Sequence, residues 1–438
     1  MNFNWRTISL FAIALLAPLG TRYIFATGNI NGFMIEQGTI SIYATQLLVL
    51  AYTLPILLTA EKSAIKKLLT QPIIILAAIF TDITLFSAFF SENPFPSLLQ
   101  ASWTLLGFLL LLAIRIHKPS PRLVLTGFIA SGLLQSGFAI SQFLTQQVHA
   151  STILGMAPQN ASILGVAVVE TLNERWLRAY GTLPHPNILG FFLSISILST
   201  IGIAFISAHK KYRLLLTTLP ILSAGMFFTL SRAVIISQIS GLILFISSFF
   251  TDKSAKHNAW RAAMAFVIVV ATAFTLSAIF REPIMTRLTG NGRLEPRTIT
   301  ERIDGINDAR ELITQHPLLG VGAGRMPYIL ASTHPERQPY ELRNTHNVSL
   351  LITAETGIPN GILAFILLVL ILTQVFRNKK YLDESTSVQA AIIGLWCTVI
   401  AATLFDHYIW SVWSGVLVFW LIAAITLPNN LDKIEEKT

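Results

Sequence analysis

The sequence predicts an all-α, polytopic membrane protein of about twelve transmembrane helices. Three observations carry this. Hydrophobic residues make up 53% of the chain and charged residues only 12%, about half the charged share of a soluble domain. Apolar runs long enough to cross a bilayer recur along the chain. Every lysine falls in alternate connections between those runs, as the positive-inside rule requires.

The runs are, in order, 7–21, 39–60, 72–91, 97–114, 123–144, 188–208, 213–230, 233–250, 262–280, 347–376, 388–405 and 408–427. The first, around Ile8 to Gly20, has the look of a secretory signal. Eleven further runs follow it, so it reads as a retained helix. The tenth is long and is interrupted by Gly357-Ile-Pro-Asn-Gly361. With a cytoplasmic N-terminus, the cytoplasmic connections hold Lys62, Lys66, Lys67, Lys118, Lys210, Lys211, Lys253, Lys256, Lys379 and Lys380. Lys433 and Lys437 lie in the C-terminal tail on the same side. A single missed span would scramble this segregation.

The net charge of +9 is therefore first an orientation signal. No basic patch interleaved with exposed aromatics points to nucleic acid, and no Cys/His cluster points to zinc. The one cysteine, Cys397, sits in an apolar run and reads as a packing residue.

Two outside connections are long, Thr145–Asn187 and Arg281–Thr345. Connections of that length are usually functional or disordered. In the second, Ile299, Ile303, Ile306 and Ile313 recur at helical spacing, which predicts an amphipathic helix at the membrane surface. The chain thus divides into residues 1–280 (nine helices with the outer segment 145–187), an extracytoplasmic loop over 281–345, and residues 346–438 (three helices and a short cytoplasmic tail).

The loop over 281–345 carries nine arginines and no lysine. A guanidinium presents a fixed fork of donors that matches phosphate oxygens in pairs. Most of the nine read as surface partners of Glu301, Asp304, Asp308 and Glu311. Arg310 stands out, since at 100° per residue it falls within the isoleucine stripe, where a charge either snorkels or meets an anion. Arg302 sits at the stripe's edge. Arg232 stands in the tight outer turn of "FFTLSRAVII", at the start of a helix whose N-terminus itself favours anions. In "RWLRAYGTLPHPNILGFF", Arg178, His185 and Asn187 enter the sixth span through Pro184 and Pro186, and Asn187 reads as the capping side chain there. In "ELRNTHNVSLLITAETG", His346 and Asn347 stand at the outer threshold of the tenth span.

Four stretches in order, "RAYGTLPHPNILG", "TLSRA", "ERIDGINDARELITQHPLLGVGAGRM" and "THNVSLLITAETGIPNG", resemble the O-antigen ligase and polymerase superfamily, which includes the bacterial O-oligosaccharyltransferases. The resemblance covers the chain from about Tyr180 to Gly361 in motif and the whole chain in topology. It implies a GT-C-type glycosyltransferase of the bacterial inner membrane, with both termini cytoplasmic and the active site extracytoplasmic. Such an enzyme moves glycan from an undecaprenyl-diphosphate carrier to a glycan, lipid or protein acceptor, among membrane lipids, without cofactor or metal. The family's essential histidine matches His346. Its arginines match Arg232 and, in the loop, Arg302 through "ERI". This chain holds Ile306 or Asn307 where relatives often carry an aromatic, so Arg310 stays a rival.

The residues agree with that chemistry. Diphosphate leaves readily once its charge is neutralised by fixed arginine hydrogen bonds. A divalent ion would need paired carboxylates, and the outer loops show no Asp-x-Asp cluster. His346, with an ordinary pKa near 6.5, suits a general base that activates an acceptor hydroxyl. Direct attack on the anomeric carbon inverts it. Asn347 is a candidate to orient the ring or a sugar. Glu355, nine residues on, faces away from His346 on an unbroken helix and is a candidate brace for the Gly357–Pro359 break.

Other features carry less. Asp82, mid-span, reads as an interhelical hydrogen-bonding group. Asp406 and His407, before Tyr408, Trp410 and Trp413, are within reach of the cavity but read first as interface anchors. "GVGAG" over 320–324 lacks a preceding strand and reads as a turn after the amphipathic helix. A polymerase, a protein O-oligosaccharyltransferase and, from a different class, a lipid-glycan transporter are the alternatives. A transporter puts its polar groups near the midplane, whereas here they crowd an outer loop.

Overall fold

The structure is a computed structural model and describes residues 4–250, 256–290, 294–377 and 386–427. In chain order its elements are α1 (Trp5–Leu16), β1 (Arg22–Ile30), β2 (Phe33–Tyr43), α2 (Ala44–Leu58), α3 (Lys62–Leu69), α4 (Pro72–Phe89), α5 (Pro94–His117), α6 (Pro121–Thr145), β3 (Gln147–Val148), β4 (Gln159–Asn160), β5 (Val168–Glu170), β6 (Arg175–Leu177), α7 (Pro186–Ile206), α8 (His209–Phe227), α9 (Arg232–Phe250), α10 (Lys256–Ile279), α11 (Arg281–Thr289), α12 (Leu294–Gln315), α13 (Met326–Thr333), α14 (Val348–Thr356), α15 (Ile358–Arg377), α16 (Thr386–Phe405), α17 (Tyr408–Ser411) and α18 (Trp413–Thr426).

Each of the twelve apolar runs contains helix, the second only from Ala44 on. Among the described residues, eight helices are long and apolar enough to cross a membrane (α4, α5, α6, α7, α9, α10, α15 and α16), or nine if α2 and α3, bent by 109°, form one span. Helices α1 and α18 are apolar but shorter. The chain is a helical, multi-pass membrane protein. Of the lysines that set the orientation, Lys253, Lys379, Lys380, Lys433 and Lys437 lie outside the described residues.

The expectation of purely helical structure needs correction. Three two-stranded antiparallel sheets are present, β1–β2, β3–β4 and β5–β6. In the largest, Ile30 pairs with Phe33, leaving Asn31 and Gly32 as a two-residue turn at φ 51° and 87°. Asn-Gly is the strongest short-range hairpin signal because both residues tolerate positive φ. The second apolar run, begun at residue 39, had therefore absorbed the end of β2. The segment 145–187 is likewise ordered. Its strands enclose a small core of Val148, Leu177 and Tyr180, with Met156 and Val166 packed against it.

The chain divides into two compact units. The first holds residues 1–21, 120–299 and 382–402. Its axis is α7, whose best spanning window is completely buried. Small residues permit that enclosure: Gly202 lies against Ala391 and Gly241 against Gly394, where any side chain would collide. The second unit holds residues 22–119, 300–381 and 403–438. Here α5 packs on α2, α4 and α18, and Gly107 leaves room for the Trp420 indole.

In the second unit the tenth apolar run breaks as predicted. Helix α14 ends at Gly357, at φ 87° and ψ 163°, a conformation almost reserved for glycine. The "GVGAG" turn lies along that break. The Val321 amide donates to the Ala354 carbonyl (3.1 Å), Gly322 to Glu355 (2.8 Å), and Ile358 to Pro317 (2.8 Å). Gly320, Gly322 and Gly324 all have positive φ, and side chains there would strike α14, Ser91 or Gln100. The glycines thus serve backbone approach to a broken helix. Asp82 departs from expectation. The packed face of α4 carries Ile74, Ala77, Thr81, Thr84 and Ser87, and Asp82, on the other face, is exposed.

Candidate active site

The predicted site residues fall in both units. In the first, Arg232 opens α9 directly after a strained turn, with Leu230 at φ 47°. A leucine in the left-handed region costs of order 1–3 kcal/mol, and two side chains hold it there. The Arg287 Nε donates to the Leu230 carbonyl (3.1 Å), and the Arg232 guanidinium donates to the Arg287 carbonyl (3.1 Å). Arg232 is half-buried. Arg178 is buried, with its Nε donating to the Thr229 carbonyl (2.7 Å) and its guanidinium to Asn187 Oδ1 (2.7 Å). It braces the turn that presents Arg232. The cap of α7 is His185, whose Nδ1 accepts from the Asn187 amide (3.1 Å). Asn187, expected as the cap, instead receives Arg178.

In the second unit, Asn347 caps α14 by accepting from the Leu350 amide (3.0 Å). This fixes the direction of His346, the residue before it. His346 Nδ1 is buried and lies 3.6 Å from Asp406 Oδ1, which is itself 9% exposed. The ring centre of His407 is 5.3 Å from that of His346. Asp406 accepts from the His407 amide (2.8 Å), and His407 Nδ1 pairs with the Ser411 hydroxyl. Burial pushes His407 down to about 4, with Asp406 opposing and His346 and Arg343 adding to the shift. His407 is therefore neutral near pH 7, and Asp406 is the acid beside His346. The sequence had assigned Asp406 to interface anchoring. An acid directly ahead of a histidine in the last outer turn, "LFDHYIW", was the available signal.

The loop arginines separate. Glu301 pairs with Arg343 at 3.7 Å, and Gly305 packs on Thr345. The first turns of α12 in this unit thus lie on the segment that leads into His346. Arg302, half-buried, belongs to those turns, whereas Arg310 is exposed. The packed face of α12 is Gly305, Asp308, Ala309 and Leu312, while Ile299 and Ile303 are more than half exposed. Ile306 and Ile313 are half-buried, so only the Ile299 and Ile303 end of the stripe faces outward, and Arg310 is exposed.

Glu355 is completely buried. Its Oε2 accepts from the Trp410 indole (2.6 Å), and the Gly324 and Met326 amides point at its carboxyl. Its carbonyl takes the Gly322 amide and the Ser87 hydroxyl (3.0 Å). Its backbone carbonyl is thus among the contacts along the helix break. An apolar cavity of about 110 Å³ begins at the same place. Val348, Ser349 and Trp410 line it together with Phe80, Phe365 and Trp420.

Two groups have metal-ligand spacing among the described residues, His346/Asp406/His407 and Asp308/Glu311/His334. In the second, Arg337 binds both Asp308 oxygens (2.9 Å each) and Glu311 holds Gln315 and His334. Those ligand atoms are already engaged by protein donors.

No curated protein matches the chain significantly. Residues 217–369 match the family model described as O-Antigen ligase, a family of membrane glycosyltransferase-like ligases. The match includes Arg232, Arg302, Arg310, His346, Asn347 and Glu355, and it leaves out Arg178, His185 and Asn187. This match, over the stretch that carries the candidate base and the loop arginines, makes that part of the chain similar to the O-antigen ligase superfamily.

Proposed function

We propose that the protein transfers a glycan from an undecaprenyl-diphosphate carrier to an acceptor hydroxyl at the extracytoplasmic face of the bacterial inner membrane. His346 is the general base. The observation that carries this reading is the His346–Asp406 pair set beside an apolar cavity. A polar transfer centre and a lining for hydrocarbon are what a lipid-linked sugar donor needs together.

Asp406 faces Nδ1 and favours the tautomer with its proton there, which leaves the Nε2 lone pair to accept the acceptor's hydroxyl proton. The acceptor oxygen attacks the anomeric carbon as the bond to the diphosphate oxygen breaks, so the configuration inverts. Arg232 and Arg302 neutralise the charge that grows on the departing diphosphate. Arg310 offers a further cation at the surface. Arg178, with two donors already engaged, acts through the turn beneath Arg232. Arginine forks supply the neutralisation that a metal supplies elsewhere.

The test is transfer in vitro by the purified full chain. It takes a lipid-diphosphate glycan, a chelator, and lipid, glycan or protein acceptors in turn. Glycan is expected to move to one acceptor class at a rate the chelator leaves unchanged. Activity that returns only with added divalent ion, or no transfer to any class, contradicts the proposal.

A further inference from the structure

His346 stands just ahead of α14, and Asp406 and His407 stand just ahead of α17. His346 Nδ1 is buried with no hydrogen-bond partner, and Asp406 Oδ1 lies 3.6 Å from it. That is too long for a hydrogen bond, but it is the spacing of two ligands on one metal ion. Donors bound to zinc at about 2.0–2.2 Å and tetrahedral angles lie roughly 3.3–3.6 Å apart. A ring nitrogen of His407 completes the set, and the three donor atoms all lie within 4.8 Å of one another.

The donors are held as ligands are. Asp406 Oδ1 accepts from the His407 amide (2.8 Å), and His407 Nδ1 pairs with the Ser411 hydroxyl, which leaves Nε2 for a metal. Hydrogen bonds of this kind orient metal-binding carboxylates and imidazoles. The His346 side chain is 26% exposed and that of Asp406 only 9%, so an ion reaches the pair past the imidazole. Arg343, whose charge acts on His407, is paired with Glu301 at 3.7 Å. The group of Asp308, Glu311 and His334 differs, because Arg337 takes both Asp308 oxygens.

We infer that His346, Asp406 and His407 form a site for a zinc-class dication, with water in the fourth position. Magnesium and calcium, which take oxygen ligands, do not suit it. The binding stands on these contacts alone. Its effect rests on the transfer reaction proposed above: an imidazole bound to a metal through Nδ1 carries its proton on Nε2, and cannot take one from an acceptor hydroxyl. The site is inhibitory.

The experiment titrates the chelator-stripped, purified full chain with the chlorides of zinc, cobalt(II) and magnesium. The thermal unfolding midpoint reports binding, and the visible absorption of cobalt reports a four-coordinate site. Zinc and cobalt are expected to raise the midpoint, and magnesium at the same concentration is not. His346→Gln, Asp406→Asn and His407→Gln are each expected to need roughly tenfold or more zinc for the same rise, while His334→Gln titrates as wild type. No rise with zinc overturns the inference. So do wild-type titrations in those of the three variants that fold, or a loss in His334→Gln alone. Transfer is measured on the same samples. Zinc is expected to slow the wild type, and to slow His407→Gln less relative to that variant's own zinc-free rate. Zinc that binds but leaves transfer unchanged overturns the inhibition. A chain that binds zinc yet transfers nothing without it contradicts the proposed reaction and leaves the site standing.

Discussion

In the proposed reaction His346 works with a neighbour sixty residues away in sequence. The histidine stands out in the sequence, because a polar pair at the threshold of an apolar helix after a run of arginines is uncommon. Its partner does not, because Asp406 becomes an acid of the site only when the last outer turn folds against α14. The exchange of roles between His185 and Asn187 has a similar cause. Either side chain can cap a helix, and the choice is made by Arg178, which claims the asparagine oxygen. At this scale pH is informative. His407 titrates near 4 in the fold and near 6.5 when unfolded. Its contribution to stability is complete above about pH 6.5 and is lost as pH falls toward 4, since the unfolded chain takes up the proton first. The loss is about 3 kcal/mol. Unfolding midpoints between pH 7 and 4.5 are expected to fall more steeply in wild type than in His407→Gln. Equal slopes would mean that His407 takes up its proton alike in the folded and unfolded chain.

Among the elements, apolar periodicity located every long helix but could not see what interrupts them. The break at Gly357 was readable from Gly-Ile-Pro-Asn-Gly. Its brace was not, because the Val321 and Gly322 amides come from a turn thirty residues earlier. The amphipathic α12 formed where the isoleucines placed it, yet it packs through Gly305, Ala309 and Leu312. Gly305 gave close approach to Thr345, and Ile299 and Ile303 were left outside. The β1–β2 hairpin was legible in Asn31-Gly32 and was passed over because its second strand runs into an apolar helix. Gly357→Ala tests the break directly. The added Cβ runs into the Leu318 carbonyl at a φ that alanine avoids, and a loss of about 2–3 kcal/mol is expected. A lowered thermal midpoint would register it, whereas an unchanged midpoint would show that the turn yields freely.

For the whole molecule, lysine segregation and a mean hydropathy of +0.63 were enough to read a multi-pass protein, and order-specific motifs pointed to the superfamily whose model matches residues 217–369. The make-up of each unit is invisible to such reading, because each gathers segments far apart in the chain. The base is the step on which the proposed reaction depends. The most direct measurement is the rate of glycan transfer from a lipid-diphosphate donor by purified wild type, His346→Ala and Asp406→Asn, each first shown to be folded. Loss of transfer by a factor of roughly 10² or more is expected in His346→Ala, with a smaller loss in Asp406→Asn. Transfer at the wild-type rate by His346→Ala would contradict the base assignment outright.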